Sequence, residues 1–585
     1  MSTRNRGRLI LLGSFLFSQL ALFLILRMPP IPGEGSWLKA FRAYFDYDQL
    51  SYAGIASTTA AGVGGLPEPF TETGHSYYPS LWYRILGWLA ALTGQSVPTV
   101  WTVAGYLLLA FAVAYIGWVA WCISGLAWGP ALVGPALAIG TLSVALHDHW
   151  YTTLDSHAVV WGPYGALYVL NGEDAGFACL GIALATILRV AVGPRMRPVG
   201  TIVSLSIAAI LIGVTANVHT YIFLLGSAVA FAWLGAYGLL KSRSRTLAIT
   251  TAGLVAATFI VGPFMAGVVG ALPVFGLLVI STLPGVIWIA RQHVRVLIAP
   301  AILFVLVALP QVALVASGYL AKDEFLVYRQ DQSANLGVPL WIALIVSLPI
   351  ASVWVFNFAV QRTSRNHGIL AALLGLAFAG FMMSFNGWWG FGQEPYRLWI
   401  DSVTVAALLL APISAWSVAN WQRQEEPRSR LIPATAVAVV VLVGLSFLDF
   451  GAFRVYVRDS GVIRFDTARV AAIASVSAQA DGLMTSGPCI DPQELKIITR
   501  KPVAYYNLGI AWPENRGDIQ AVMDAQRNGT FDPDLIRAAK VQYIVTDSSC
   551  PTVWPVDKTM GVAKIGSVDY SDEAGAGTIS LYRIV

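Results

Sequence analysis

From Leu9 to Phe450 the chain returns repeatedly to apolar runs of about 17 to 24 residues, longer than a buried helix of a soluble core requires. A backbone immersed in hydrocarbon must satisfy its own N–H and C=O groups, so each run is expected to be a helix crossing a bilayer. The runs fall near 9–26, 98–121, 129–146, 173–191, 201–217, 221–240, 247–267, 270–290, 297–317, 338–359, 369–385, 399–419 and 432–449, about 13 spans. The first follows Arg4, Arg6 and Arg8 like a signal peptide. No small-residue cleavage site follows it, and it is read as the first span.

Charge divides the chain in two. Of the 69 Lys, Arg, Asp and Glu residues (37 basic plus 32 acidic), 29 lie in residues 451–585 and 40 in the 450 before them. The tail is therefore composed like an ordinary globular domain and the rest like membrane. Residues 1–450 are expected to form the transmembrane domain, with a first outer loop at 28–97, and residues 451–585 a separate domain.

Lys and Arg collect in alternate loops: Arg195 and Arg197; Lys241, Arg243 and Arg245; Arg291 and Arg295; Arg362 and Arg365; Arg423, Arg428 and Arg430. These share a side with the N-terminal arginines, which places that side in the cytoplasm. An odd number of spans then puts the tail outside. His75, His147, His149, His157 and His219 fall on the outer side, so chemistry is sought there. The net charge of +5 follows from this loop bias and implies no nucleic acid.

The first outer loop carries Asp46-Tyr47-Asp48-Gln49-Leu50-Ser51-Tyr52-Ala53-Gly54-Ile55-Ala56, then His75-Ser76-Tyr77-Tyr78-Pro79, then an amphipathic stretch to Gly94 suited to the membrane interface. Asp48, Tyr52 and Ala56 resemble the acidic first-loop motif of the GT-C superfamily, integral-membrane glycosyltransferases that take sugars from polyprenyl-phosphate carriers. Gln49 stands where Glu is frequent. Tyr78-Pro79 is similar to the turn those enzymes carry downstream. Residues 48–94, ending Ala91-Leu92-Thr93-Gly94, look most like actinobacterial cell-wall arabinofuranosyltransferases. The resemblance implies a lipid-linked sugar donor, with Gln49, Tyr52, His75 and Tyr78 near substrate. A partly desolvated carboxylate at the membrane edge can deprotonate an acceptor hydroxyl, with Asp48 the first choice and Asp46 the second. Both also fit solvated loop acids, or a cap for a helix beginning near Gln49.

Other outer segments carry chemistry. Glu394-Pro395-Tyr396-Arg397 enters the span at 399–419, and Arg397 suits a lipid phosphate, snorkelling, or a pair with Glu394 or Asp401. Arg329 in the mixed-charge loop 322–331 is a second phosphate candidate. His147, His149 and Trp150 suit a sugar-binding wall or, less well, a divalent metal site. His219 joins two spans and suits the same cavity or a structural role. No cofactor is required by this chemistry.

The tail alternates expected helices at 466–480, 515–528 and 533–540 with strands at 482–486, 541–546 and 577–584, which reads as a small α/β domain. Cys489 and Cys550 are its only cysteines, and a disulfide between them suits an extracytoplasmic location. The whole is read as a polytopic α-helical membrane protein, GT-C-like, with a C-terminal α/β domain outside the cell membrane. Its expected activity is inverting transfer of a sugar, arabinofuranose by the resemblance, to a cell-envelope glycan or glycolipid. An O-antigen-type polymerase or ligase and a lipid-linked-sugar flippase are the alternatives. The first usually depends on Arg and His in a large late loop, and the second predicts charges at mid-membrane depth.

Overall fold

A computed structural model describes residues 3–27, 40–42, 46–142, 169–333, 339–364, 366–423, 431–459, 462–552, 554, 561–572 and 575–585. The chain forms two compact units, Met1–Pro29 with Tyr106–Val457, and Pro30–Gly105 with Arg458–Val585. The first is all helical. Among the described residues nine helices are long and apolar enough to cross a membrane, ten if a bent pair counts as one span. The protein is thus a multi-pass membrane protein.

In the helical unit, Gly172–Val192 lies against Pro198–Val218, and Thr220–Ser242 against both Ala271–Leu320 and His367–Ser384. Apolar burial gives little drive between helices in lipid, so close backbone approach at small residues has to supply contact. A Cβ on Gly238 would lie 2.1 Å from the carbonyl oxygen of Gly285, and one on Gly285 would lie 2.1 Å from that of Gly235. Only glycine permits this crossing. The 50-residue Ala271–Leu320 helix is about 75 Å long at 1.5 Å per residue, about two and a half times a bilayer core. Its helical geometry breaks at His293 (φ −131°, ψ 30°), which yields the two spans expected at 270–290 and 297–317.

Two expected spans differ. Over its described residues, 129–142, the run expected at 129–146 is no membrane helix: Gly129–Leu132 is one 3-10 turn and Val133–Ala136 a single α turn, and 137–142 is not helical. Pro130 and Pro135 each remove a backbone donor within six residues, which stops propagation despite the apolar composition. The run at 338–359 is split into Leu340–Val346 and Leu348–Ser364, bent by 72° at Ser347 and followed by Pro349. The run at 432–449 lies in the Leu431–Asp459 helix.

The second unit joins the first loop to the tail. Strand β1 (Ala40–Arg42) pairs antiparallel with β2 (Val462–Arg464), although more than 400 residues separate them. A four-stranded sheet is ordered β3 (Met484–Ser486), β4 (Tyr543–Asp547), β6 (Gly575–Ile584), β5 (Val562–Asp572), with β3 and β4 parallel and the rest antiparallel. Helices Ala468–Ser477, Pro492–Thr499, Arg516–Arg527 and Pro533–Ala538 complete it. Thr467 caps the first of these through its Oγ1 to the Val470 N–H. The expected α/β tail is present, and residues 30–105, which include the first turns of the Val97–Ser124 membrane helix, fall in the same compact unit as the tail. Phe70 of the loop is fully buried in the tail's apolar core, edge-on to Tyr505 at 4.7 Å. Cys489 and Cys550 are disulfide-bonded, with Cα atoms 5.6 Å apart.

Candidate functional site

The Asp46–Ala60 helix explains the first-loop motif mechanically. Positions 48, 52 and 56 are spaced by four and share one face. Ala56 is fully buried, and its carbonyl would lie 2.4 Å from a Cβ on Gly87 of the Leu81–Thr93 helix, so glycine there lets the two helices touch. One turn back, Tyr52 stacks on Tyr83 at 5.0 Å and on Tyr78 at 5.4 Å, and Tyr83 stacks on Trp101 at 5.5 Å. Asp48, a further turn back, is exposed. The helix turns Gln49, Leu50 and Ser51 inward. Gln49 is only 2% exposed, and its Oε1 has no hydrogen-bond partner among the described residues. Asp46 opens the same helix.

The tail grips this helix. Ser51, fully buried, donates from Oγ to Gln493 Oε1 at 2.8 Å and accepts from Asn507 Nδ2 at 3.0 Å. Gln493 sits at the start of the Pro492–Thr499 helix, where its N–H is capped by Asp491. Further along the loop, the Lys496 ammonium, fully buried, pairs with Glu72 at 2.6 Å, and the Val503 N–H bonds the Phe70 carbonyl. Glu68 is buried beside them. Its Oε2 accepts from the Phe70 N–H, the Thr71 N–H and the Thr71 hydroxyl at 2.7–3.1 Å. Burial pushes its carboxyl up to about 7, against the pull of those donors and of the Lys496 charge. His75 is exposed and edge-on to Tyr77.

The helical unit brings together the other expected residues. Glu394, in a left-handed backbone conformation (φ 35°), precedes Pro395 at the start of the Pro395–Gln422 helix. Its carboxylate receives Arg397 Nη1 at 3.0 Å and Arg329 Nη2 at 3.6 Å, so the two candidate phosphate-binding arginines meet on one acid. The Arg397 guanidinium lies over the Tyr221 ring at 5.4 Å. His219, between two membrane helices, lies in the electrostatic neighbourhood of Glu173, Arg397 and Glu394. Tyr396 is buried in the first turn of the same helix as Arg397. Asp401, one turn on, is fully buried beside Glu173.

Glu173 and Asp174 escaped sequence reasoning as site residues. Asp174 closes a capping box with Asn171, its Oδ2 accepting from the Asn171 N–H at 3.0 Å. The available signal was two adjacent acids opening an apolar run, a costly place to bury charge without a function or a cap. His147, His149 and Trp150 lie outside the described residues. Among the described residues no three His, Cys, Asp or Glu side chains gather as a metal site.

The chain matches no family model and no curated protein. Solved structures do match. The oligosaccharyltransferase AglB from Archaeoglobus fulgidus, in complex with an inhibitory peptide and a dolichol-phosphate, aligns at a TM-score of 0.50 and 11% identity over 92% of this chain and 69% of AglB. ArnT from Cupriavidus metallidurans, solved bound to undecaprenyl phosphate and in the apo state, aligns at 0.50 and 11% identity over 99% of this chain and 98% of ArnT. The mycobacterial arabinofuranosyltransferase AftD aligns at 0.47 and 14% identity over all of this chain and 40% of AftD. Identities at this level speak for architecture alone: this chain shares the fold of AglB and ArnT.

Proposed function

We propose that this protein is a GT-C glycosyltransferase that moves a sugar from a polyprenyl-phosphate donor to a hydroxyl of a cell-envelope glycan or glycolipid on the outer face of the membrane. The observation that carries the reading is the convergence of Arg329 and Arg397 on Glu394 at the start of a membrane helix. It occurs in a fold whose solved neighbours AglB and ArnT hold a dolichol-phosphate and undecaprenyl phosphate. Two guanidinium forks suit phosphate oxygens, and a donor phosphate would take up part of the hydrogen bonding now given to Glu394.

Asp48 is assigned as the general base. The acceptor oxygen attacks the anomeric carbon on the face opposite the phosphate. The acceptor proton passes to Asp48, the C–O bond to phosphate breaks, and the polyprenyl phosphate leaves with the electron pair, so the configuration inverts. Tyr52 and Tyr78, stacked beside that acid, offer an aromatic wall to a sugar ring. Arabinofuranose is the sugar suggested by the likeness of residues 48–94 to the actinobacterial enzymes.

The test is transfer of radiolabelled sugar from synthetic polyprenyl-phosphate donors by the purified chain in nanodiscs. Asp48→Asn is expected to lower kcat by about 10²–10⁴-fold with the fold intact, the range for loss of a general base. Full activity of that variant removes Asp48 from the role, and no transfer from any polyprenyl-phosphate donor by the wild type removes the function.

A further inference from the structure

The Leu81–Thr93 helix is apolar on the side that packs and equally on the side that does not. At about 100° per residue, Tyr83, Leu86, Gly87 and Ala90 fall on one side and are buried. Leu81, Ile85, Trp88, Leu89 and Leu92 fall on the opposite side, half-buried or exposed, Leu92 by 83%. A helix bathed in water on that side would carry polar residues there. Its neighbour sets its depth. Tyr83 stacks on Trp101 of the Val97–Ser124 membrane helix, whose Val100 and Trp101 are buried while Val103, Leu107 and Phe111 are exposed. That 28-residue helix is about 42 Å long, about 12 Å more than a bilayer core. The turn around Trp101 therefore stands at headgroup depth, and the Leu81–Thr93 helix with it. Cations bracket the outward face. From Thr73 to Gly105 the sequence holds Arg84 and neither Asp nor Glu. The Arg84 guanidinium lies 5.4 Å from the Trp88 ring centroid, and no carboxylate pairs with it among the described residues. Arg500 reaches the other end of the helix, donating from Nη2 to the Gln95 carbonyl at 3.0 Å, likewise with no acid beside it among the described residues. It caps the Pro492–Thr499 helix at φ +58°, where glycine is the unstrained choice. An arginine held there against that preference delivers its charge to the turn before the membrane helix.

We propose that this face is a docking surface for anionic phospholipid. The helix lies in the headgroup boundary with its outward side toward the acyl chains, and Arg84 and Arg500 bind lipid phosphates at its two ends. This holds whether or not the chain transfers sugar. The apolar side chains supply the depth, and guanidinium groups with no acid to neutralise them supply the preference for charge. A basic residue at such a surface favours anionic over zwitterionic lipid about fivefold. Interfacial placement is legible in the sequence, whereas the sign of the headgroup charge is not, because Arg500 is brought to Gln95 only by the fold.

The test places an environment-sensitive fluorophore at Leu92→Cys in the full-length chain, with Cys122→Ala and Cys179→Ala removing the free thiols. The protein is held in nanodiscs of equal phosphatidylglycerol and phosphatidylcholine, and a doxyl group on the acyl chain of one lipid or the other is the quencher. Doxyl-phosphatidylglycerol is expected to quench about fivefold more than doxyl-phosphatidylcholine at equal mole fraction. Arg84→Gln combined with Arg500→Gln is expected to bring that ratio to one. The same measurement from Ala91→Cys serves if the Leu92 variant is not monodisperse. Quenching by aqueous iodide and by neither lipid puts the face in water and overturns the surface. Equal quenching by the two lipids in the unmodified arginine background, or a ratio unchanged in the arginine variant, overturns the headgroup site. A preference erased by added undecaprenyl phosphate assigns the arginines to the lipid carrier and overturns the choice of phospholipid.

Discussion

Glu394 and Glu68 are both buried carboxylates that precede a turn into ordered structure, yet they are satisfied by opposite kinds of donor. Glu394 is bonded by two arginines, each partly exposed. Glu68 is bonded by two backbone N–H groups and a hydroxyl, while the nearby Lys496 gives its own bond to Glu72. A carboxylate held by mobile cations can exchange them for an incoming phosphate. One held by its own loop backbone has nothing to exchange and serves to shape that loop. The loop's purpose is visible two residues on, where Phe70 enters the tail's core.

The largest effect should therefore come from Phe70. Phe70→Ala removes a fully buried ring and leaves a cavity, at a cost of about 3–5 kcal/mol. Limited proteolysis is expected to show residues 458–585 cleaved far faster in this variant, with the first loop released along with them. If the tail stays resistant and only the loop is cut, the two segments are not one folding unit.

Glu68 comes next. Its folded carboxyl titrates at about 7 because burial outweighs its hydrogen bonds, against an ordinary value of 4.5. Between those values the folded state holds a proton that the unfolded chain has lost, so stability falls as pH rises through the window. The difference corresponds to about 3 kcal/mol at about 1.4 kcal/mol per unit. Glu68→Gln should flatten this part of the dependence, seen as melting temperatures of the two proteins that diverge from about pH 5 to about pH 8. Parallel curves would mean the carboxylate stays ionised throughout. Activity at a fixed pH should not change, in contrast to any substitution at Glu394.

The same contrast explains what the sequence disclosed. The membrane helices were legible because an apolar run in lipid has only one way to satisfy its backbone. The exceptions are local: Pro130 and Pro135 break a run whose composition alone promised a span. The Asp48 motif was legible through its likeness to the first-loop motif of the GT-C enzymes, whose four-residue spacing the structure explains as one helix face, and Cys489 with Cys550 because no other cysteine lies in the tail. The knitting of the first loop into the tail was not legible. Nothing in residues 40–42 announces residues 462–464 as a partner, and Phe70 looks like any loop aromatic. Strand β5 was missed because most of its side chains are exposed or half-buried, which erases the apolar alternation. The meeting of Arg329 and Arg397 on one acid is likewise a tertiary fact.

The smallest effect on stability, and the most specific on function, is expected at Ser51. Its hydroxyl links the Asp48 helix to both Gln493 and Asn507. Ser51→Ala removes no bulk worth counting but takes a hydrogen bond from the buried Gln493 oxygen and another from the half-buried Asn507 amide, at a cost of about 1–2 kcal/mol. Asp48 lies three residues away on the same helix, so a loosened helix moves the base and does not touch the arginines. The expected result is a kcat lowered about tenfold with the donor KM unchanged, the pattern of an interaction that matters only in the transition state. Replacing Gln493 by Leu in the Ser51→Ala background should restore the part of the stability lost at the Gln493 oxygen, because that buried acceptor is removed, yet should leave kcat low. Recovery of kcat together with stability would show that the node holds the fold and has no part in aiming Asp48.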